Sequence, residues 1–428
     1  MQIKNKKLLI IGLDGVPYEL LKDLTDNGTM PHLKKLLSRG KLQKMEVTIP
    51  EISSISWSSF MTGTDPGNHG IFGFVDLYKG KYKYRFPDFR DLKVTTFFDE
   101  LGKKGKRSII INLPSTYPAR EIPGVLISGF VAPDKKKAVY PPEYIELLEN
   151  TGYQIDVDVS NGKEKKIDFF SDLNYTLKAR KEMADILWKN EKWDIFMFTV
   201  TGTDRLHHFM FDAYLDKNNR YHKDFLNYYE ELDKVIGNLI AKTDGKNEFE
   251  IMILSDHGFG LIEHEVYLNQ ILRKEGFYKN GSGKLKKLEG ITKDSKAFAI
   301  DPSRIFINVK EKFPNGSVKP GDYNKVRNDL KSFFEEYRVN GKKVIKKVFF
   351  KEELYSKRFL DNSADIILLS NPGFDLKGGL KKDVEFGNSF FTGMHLQDNA
   401  FFFSTAVENI PEKINITDIK GSILELFN

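Results

Sequence analysis

A chain of 428 residues with 40% hydrophobic content can bury a large core. Its 66 Lys and Arg against 60 Asp and Glu leave a net charge of only +6, and the basic runs Lys103-Lys104, Lys135–Lys137 and Lys342-Lys343 are too scattered to read as a nucleic-acid footprint. The absence of cysteine excludes disulfides, thiolate metal sites and a cysteine nucleophile, so any metal would be held by carboxylate, imidazole or hydroxyl.

The first apolar run, Leu8–Leu13, reads as a strand that runs into Asp14-Gly15. It is too short for a secretory h-region, and no stretch approaches the roughly 18 uninterrupted apolar residues of a spanning helix, so the expectation is a cytoplasmic protein without a membrane span. Asp14 is either a turn residue or a ligand at a strand end. An amphipathic helix is expected over Pro31–Arg39. The segment from Pro50 through Ser53, Ser54 and Ser56 reads as a helix N-terminus, with Gly63 ending the helix. A serine there has its hydroxyl beside unpaired backbone N–H groups, an anion site suited to phosphate; the alternative is that Ser53 and Ser54 only cap the helix.

Strands are expected at Ser108–Ile111 and Val125–Ser128, a flexible polar segment at Asn161–Lys166, a helix at Tyr175–Lys189 and a strand at Ile195–Val200. Asp204 and His208 follow at a four-residue spacing that places both on one helix face, as metal ligands often are. His207 points elsewhere and is expected behind the site or at the surface. A helix over His222–Lys242 and a strand over Ile251–Leu254 lead to Asp256-His257-Gly258. Adjacent polar side chains at the end of a buried strand suit a turn, a partner or a metal.

From Gly276 to Asp375 the chain carries its own strands, Ile305–Val309 and Ile366–Leu369, and the helix Asp322–Tyr337, with a second flexible place at Lys279–Lys284. Residues 276–375 are therefore expected to form an inserted cap-like subdomain over the site, and 1–275 with 376–428 the catalytic core. Arg304, beside a strand of that insert, is a candidate for pairing with a substrate phosphate or carboxylate. His395 precedes the last strand, Ala400–Phe403. Strands alternating with helices predict an α/β fold, a mostly parallel sheet with helices on both faces, and sites at strand ends.

These residues resemble the alkaline phosphatase superfamily, in its type I phosphodiesterase/nucleotide pyrophosphatase branch, and most closely the prokaryotic proteins described as predicted phosphohydrolases or phosphomutases. The landmarks are Ile11-Gly-Leu-Asp14-Gly15, Ser58-Ser-Phe-Met-Thr-Gly63 with the following Thr-Asp-Pro-Gly-Asn-His69-Gly70, Ile111-Asn-Leu-Pro-Ser-Thr-Tyr-Pro118, Thr203-Asp204-Arg-Leu-His-His208, Ser255-Asp256-His257-Gly258 and Gly393-Met-His395. The resemblance implies two divalent metals, zinc or manganese. One would be held by Asp204, His208 and His395, the other by Asp14, Asp256 and His257. It further implies that Ser53 is the nucleophile and touches the second metal, with Ser54 the one-residue alternative.

Ser56 stands where the nucleotide pyrophosphatases carry an Asn that holds a phosphoryl oxygen, so a different oxygen contact is expected there. Neither serine is followed by the Pro and Arg of a sulfatase. The reading implied is a phosphodiesterase acting through a phosphoseryl intermediate on a small phosphorylated substrate, with no nucleic-acid polymer as partner and the oligomeric state open. Alternatives are a phosphomutase or phosphotransferase, and a catalytically weak metal-dependent binder of a phosphorylated ligand.

Overall fold

The computed structural model describes residues 6–281, 288–380, 382–406 and 410–428. The chain divides into two compact units, Met1–Thr64 with Asp88–Gly260 and Phe390–Asn428, and Asp65–Pro87 with Leu261–Ser389. The second unit takes in more chain than the 276–375 interval, adding 65–87, 261–275 and 376–389.

Among the described residues the first unit is built on a nine-stranded sheet: β1 (Lys7–Leu13), β2 (Lys41–Glu46), β3 (Ser108–Leu113), β4 (Gly124–Ser128), β5 (Val139–Tyr140), β6 (Ile195–Val200), β7 (Phe249–Leu254), β8 (Ala400–Ser404) and β9 (Ile414–Asn415), in the order β9-β2-β8-β7-β1-β6-β3-β4-β5. The centre is parallel, β1 pairing with both β6 and β7 and β3 with β6 and β4. β8 enters antiparallel between β7 and β2.

The central strands are mostly apolar because both faces are covered. Along β1, Leu9, Ile11 and Leu13 join one core with the helices Tyr18–Asp26, Lys166–Asn190 and His222–Ala241, while Leu8 and Ile10 join the opposite core with the helices Ser53–Thr62, Phe97–Lys103 and Ile419–Glu425. Within the polar stretch Asn161–Lys166, Asn161–Glu164 belong to a short helix, Lys165 interrupts it and Lys166 begins the next. Asp158 caps Val159–Glu164 by accepting from Ser160 N, and Gly162 lets the Phe209 ring lie against its backbone, where a Cβ would approach Phe209 to 2.7 Å. Of the other loop expected to be flexible, Lys279–Lys284, residues 282–284 lie outside the described residues.

The second unit has its own core around an antiparallel sheet, Ala297–Ile300, Arg304–Ile307, Ile366–Ser370 and Ile345–Phe350, with the helix Tyr323–Glu336. No helix among the described residues is long and apolar enough to cross a membrane.

Candidate active site

Three neighbouring strands, β7, β1 and β6, end on the same edge of the sheet and each is followed by an acidic residue: Asp256, Asp14 and, in the first turn of the helix Gly202–Leu215, Asp204. That edge is where an open α/β sheet builds a site. The antiparallel entry of β8 explains His395. With Phe402 opposite Leu254, residues before Ala400 lie beyond the carboxyl end of β7, so a side chain late in the sequence reaches the same edge. Asp14, Ser53, Asp204, His208, Asp256, His257 and His395 all belong to the first unit.

Two groups of ligand atoms form there. Asp14, Asp256 and His257 make one, and Asp204, His257 and His395 the other, each with its atoms within 4.8 Å of one another. His257 Nε2 lies 3.6 Å from Asp14 Oδ1 and 3.4 Å from Asp256 Oδ2, and so stands between the groups. His208 joins the second group, its Nε2 3.0 Å from His395 Nε2 and 3.4 Å from Asp204 Oδ1. Ser53 is the first residue of its helix, with Ile52 at the cap position, so its side chain does not cap. Its Oγ sits 3.0 Å from His257 Nε2 and donates to Asp14 Oδ1 at 3.5 Å.

The residues fit a metal. Nδ1 of His208, His257 and His395 faces a main-chain carbonyl in each case, those of Gly393, Gly258 and Glu51. Such a bond puts the proton on Nδ1 and leaves the Nε2 lone pair for a cation. Asp256 Oδ2 is buried without a hydrogen-bond partner, while Gly15 N donates to Oδ1. Carboxylate and imidazole together suit zinc or manganese.

Electrostatics point the same way. Burial, reinforced by Asp256 and Asp204, holds the Asp14 carboxyl well above the usual carboxylate range. Burial likewise pushes Asp256 up to about 7. Burial also opposes the charge on Asp204, but His208, the bond from His395 and Arg205 outweigh it and hold that carboxyl well below its ordinary value. Burial and the neighbouring His395 keep His257 neutral, well below the ordinary histidine range. His395 is raised: burial works against its charge, yet its bond to Asp204 prevails. Without a metal, protons take up the surplus negative charge.

Residues 8–397 match the family described as type I phosphodiesterase/nucleotide pyrophosphatase. The chain belongs to that family. It is therefore a phosphoric ester hydrolase by family. Among curated protein sequences none matches it.

Solved structures with the same fold include phosphonoacetate hydrolase from Sinorhizobium meliloti in complex with phosphonoformate, 16% identical, covering 99% of this chain and 96% of that one with a TM-score of 0.66. Murine ectonucleotide pyrophosphatase/phosphodiesterase 5 is 15% identical over 99% and 95% of the two chains with a TM-score of 0.60. The alkaline phosphatase PafA is 14% identical over 99% and 96% with a TM-score of 0.65.

Within this phosphodiesterase-family site, several residues escaped the sequence reading. Arg205 binds Asp204 Oδ2 through Nη1 at 2.9 Å and forks onto Asp156 with Nη2 at 2.8 Å and Nε at 3.1 Å. Its place next to Asp204 was a usable signal; Asp156, on a distant loop, offered none. Trp57 donates to Asp14 Oδ2 at 3.0 Å, and its position one turn after Ser53 on the same helix was legible. His207, expected behind the site or at the surface, is buried behind it, its Nδ1 2.8 Å from Gly15 O and its Nε2 2.7 Å from Tyr229 Oη.

Two substrate candidates lie differently. Ser56 is fully buried inside its helix, its hydroxyl without a partner. Arg304 is buried in the second unit, where it donates to Val75 O at 2.6 Å and to Asp301 O, beneath Gly73. As placed, both side chains are enclosed by the fold.

Proposed function

We propose that this protein hydrolyses a small phosphodiester through a phosphoseryl intermediate on Ser53, with two divalent metal ions, zinc or manganese. Asp204, His208 and His395 would hold one, and Asp14, Asp256 and His257 the other, next to Ser53. The observation that carries the reading is the convergence on one hydroxyl: Ser53 Oγ, at the start of a ten-residue helix, lies 3.0 Å from His257 Nε2 and 3.5 Å from Asp14 Oδ1. The chemistry that divalent ions would supply there is polarisation of the phosphoryl oxygens, easier ionisation of the hydroxyl and stabilisation of the leaving oxygen.

The chain's own residues do the rest. The Nδ1 bond of His257 to Gly258 O aims its Nε2 lone pair into the ligand group beside the Ser53 hydroxyl, and burial keeps that ring neutral, as a ligand must be. The first backbone N–H groups of the helix lack intrahelical partners and carry the positive end of its dipole, which orients phosphoryl oxygens over Ser53. Ser53 Oγ attacks phosphorus, the bond to the leaving oxygen breaks, and the alcohol departs with a proton. Water then attacks the phosphoserine, releasing a monoester and restoring the hydroxyl.

A diester is favoured over a monoester by the state of Arg205. A monoester brings a second negative charge that calls for a free cation, and the guanidinium beside the cluster is already tied to both Asp156 and Asp204.

The test is turnover of a generic aryl phosphodiester with added Zn²⁺ or Mn²⁺. Ser53→Ala should reduce it by roughly three orders of magnitude or more, as loss of a nucleophile does, with Ser54→Ala retaining most activity. Full activity in Ser53→Ala would end the covalent reading.

A further inference from the structure

Asp14 presents its two carboxylate oxygens to different neighbours. Oδ1 faces Ser53 Oγ at 3.5 Å and His257 Nε2 at 3.6 Å, whereas Oδ2 accepts the indole N–H of Trp57 at 3.0 Å. Trp57 is four residues after Ser53, so one helix face delivers both the hydroxyl and the group that turns the carboxylate. The indole is fully buried, edge-on to Phe60 with ring centroids 5.7 Å apart, and has no room to swing. β1 makes space for it at Gly12, where a Cβ would lie 2.7 Å from Trp57 Cη2. Gly12 lies in β1 and Asp14 directly follows its last residue, so the glycine that admits the ring and the carboxylate that the ring grips are set together.

We infer that Trp57 is the positioning residue of the Asp14-side metal. By engaging Oδ2 it leaves Oδ1 as the single ligand atom and fixes its direction toward Ser53 and His257. The inference rests on the two-metal reading. A partner of this kind behind a ligand typically contributes about 10–100-fold in metal affinity.

The experiment is titration of the metal-free protein with Zn²⁺ or Mn²⁺ in two backgrounds, each keeping one site. In His395→Ala, which retains the Asp14 side, adding Trp57→Phe should weaken binding about 10–100-fold, since phenylalanine fills most of the space but donates nothing. In Asp14→Ala, which retains the Asp204 side, the same substitution should change affinity less than threefold. Equal weakening in both backgrounds would make Trp57 a structural residue and overturn the inference. Unchanged or tighter binding in the His395→Ala background would overturn it as well, while leaving the two-metal reading standing. Failure of the wild-type protein to take up two ions would defeat that reading first and the inference with it.

Discussion

His208 and His395 bring their Nε2 atoms to 3.0 Å while each turns Nδ1 to a main-chain carbonyl, Gly393 O and Glu51 O. With the protons on Nδ1, two nitrogens so oriented have lone pairs on the facing atoms, an arrangement that a metal ion bound to both would relieve and that a proton on His395 relieves without one. His395→Ala should therefore remove one equivalent of tightly bound metal, measured by elemental analysis after dialysis. Wild-type protein held at a hundredfold excess over Kd should gain about 2.7 kcal/mol of stability per site, and the variant should lose one such increment in thermal unfolding.

Metal uptake should depend on pH, in a direction that Asp256 decides. Its carboxyl is pushed up to about 7 by burial, so below pH 7 the metal-free site holds a proton that an incoming ion must expel. Affinity should fall as pH drops below 7. Calorimetric titrations at pH 6 and pH 8 in buffers of different ionisation heat will show this as proton release at the lower pH. Affinity rising toward acid would mean that Asp256 is not a ligand.

Arg205 neutralises Asp204 and Asp156 together from a site where all three side chains are largely buried. Arg205→Met keeps the apolar stem, takes the guanidinium from Asp156 and leaves Asp204 with only His208 and His395. The metal-free variant should be less stable by about 3 kcal/mol, read from urea unfolding at pH 7. Arg205→Lys keeps the charge but not the fork and should lie in between.

The convergence of the candidate site residues was legible because it obeys strand geometry. Apolar runs ending in Asp14, Asp256 and the segment before Asp204 mark three adjacent strand ends, and the sheet then brings those residues together. His395 needed the antiparallel placement of β8, which sequence order does not show, and was found through family resemblance. What sequence patterns could not reach were contacts between remote segments, such as Asp156 with Arg205 or the fit of Trp57 over Gly12. In the Asn161–Lys166 stretch the charge pattern hid a short helix, Val159–Glu164, which a cap at Asp158 and packing at Gly162 sustain. Arg304 was a candidate because a basic residue stood beside a strand, and sequence did not show that it is buried with bonds to the main chain of Val75 and Asp301.

The most direct test of the account is to quench wild-type protein in acid during turnover of an aryl phosphodiester and sequence the peptide spanning Ser53 by mass spectrometry. The account predicts a phosphoryl ester adduct on Ser53, present during turnover and absent after the substrate is spent. An adduct on Ser54, or turnover with no adduct in a rapid quench that catches the first burst of product, would contradict it.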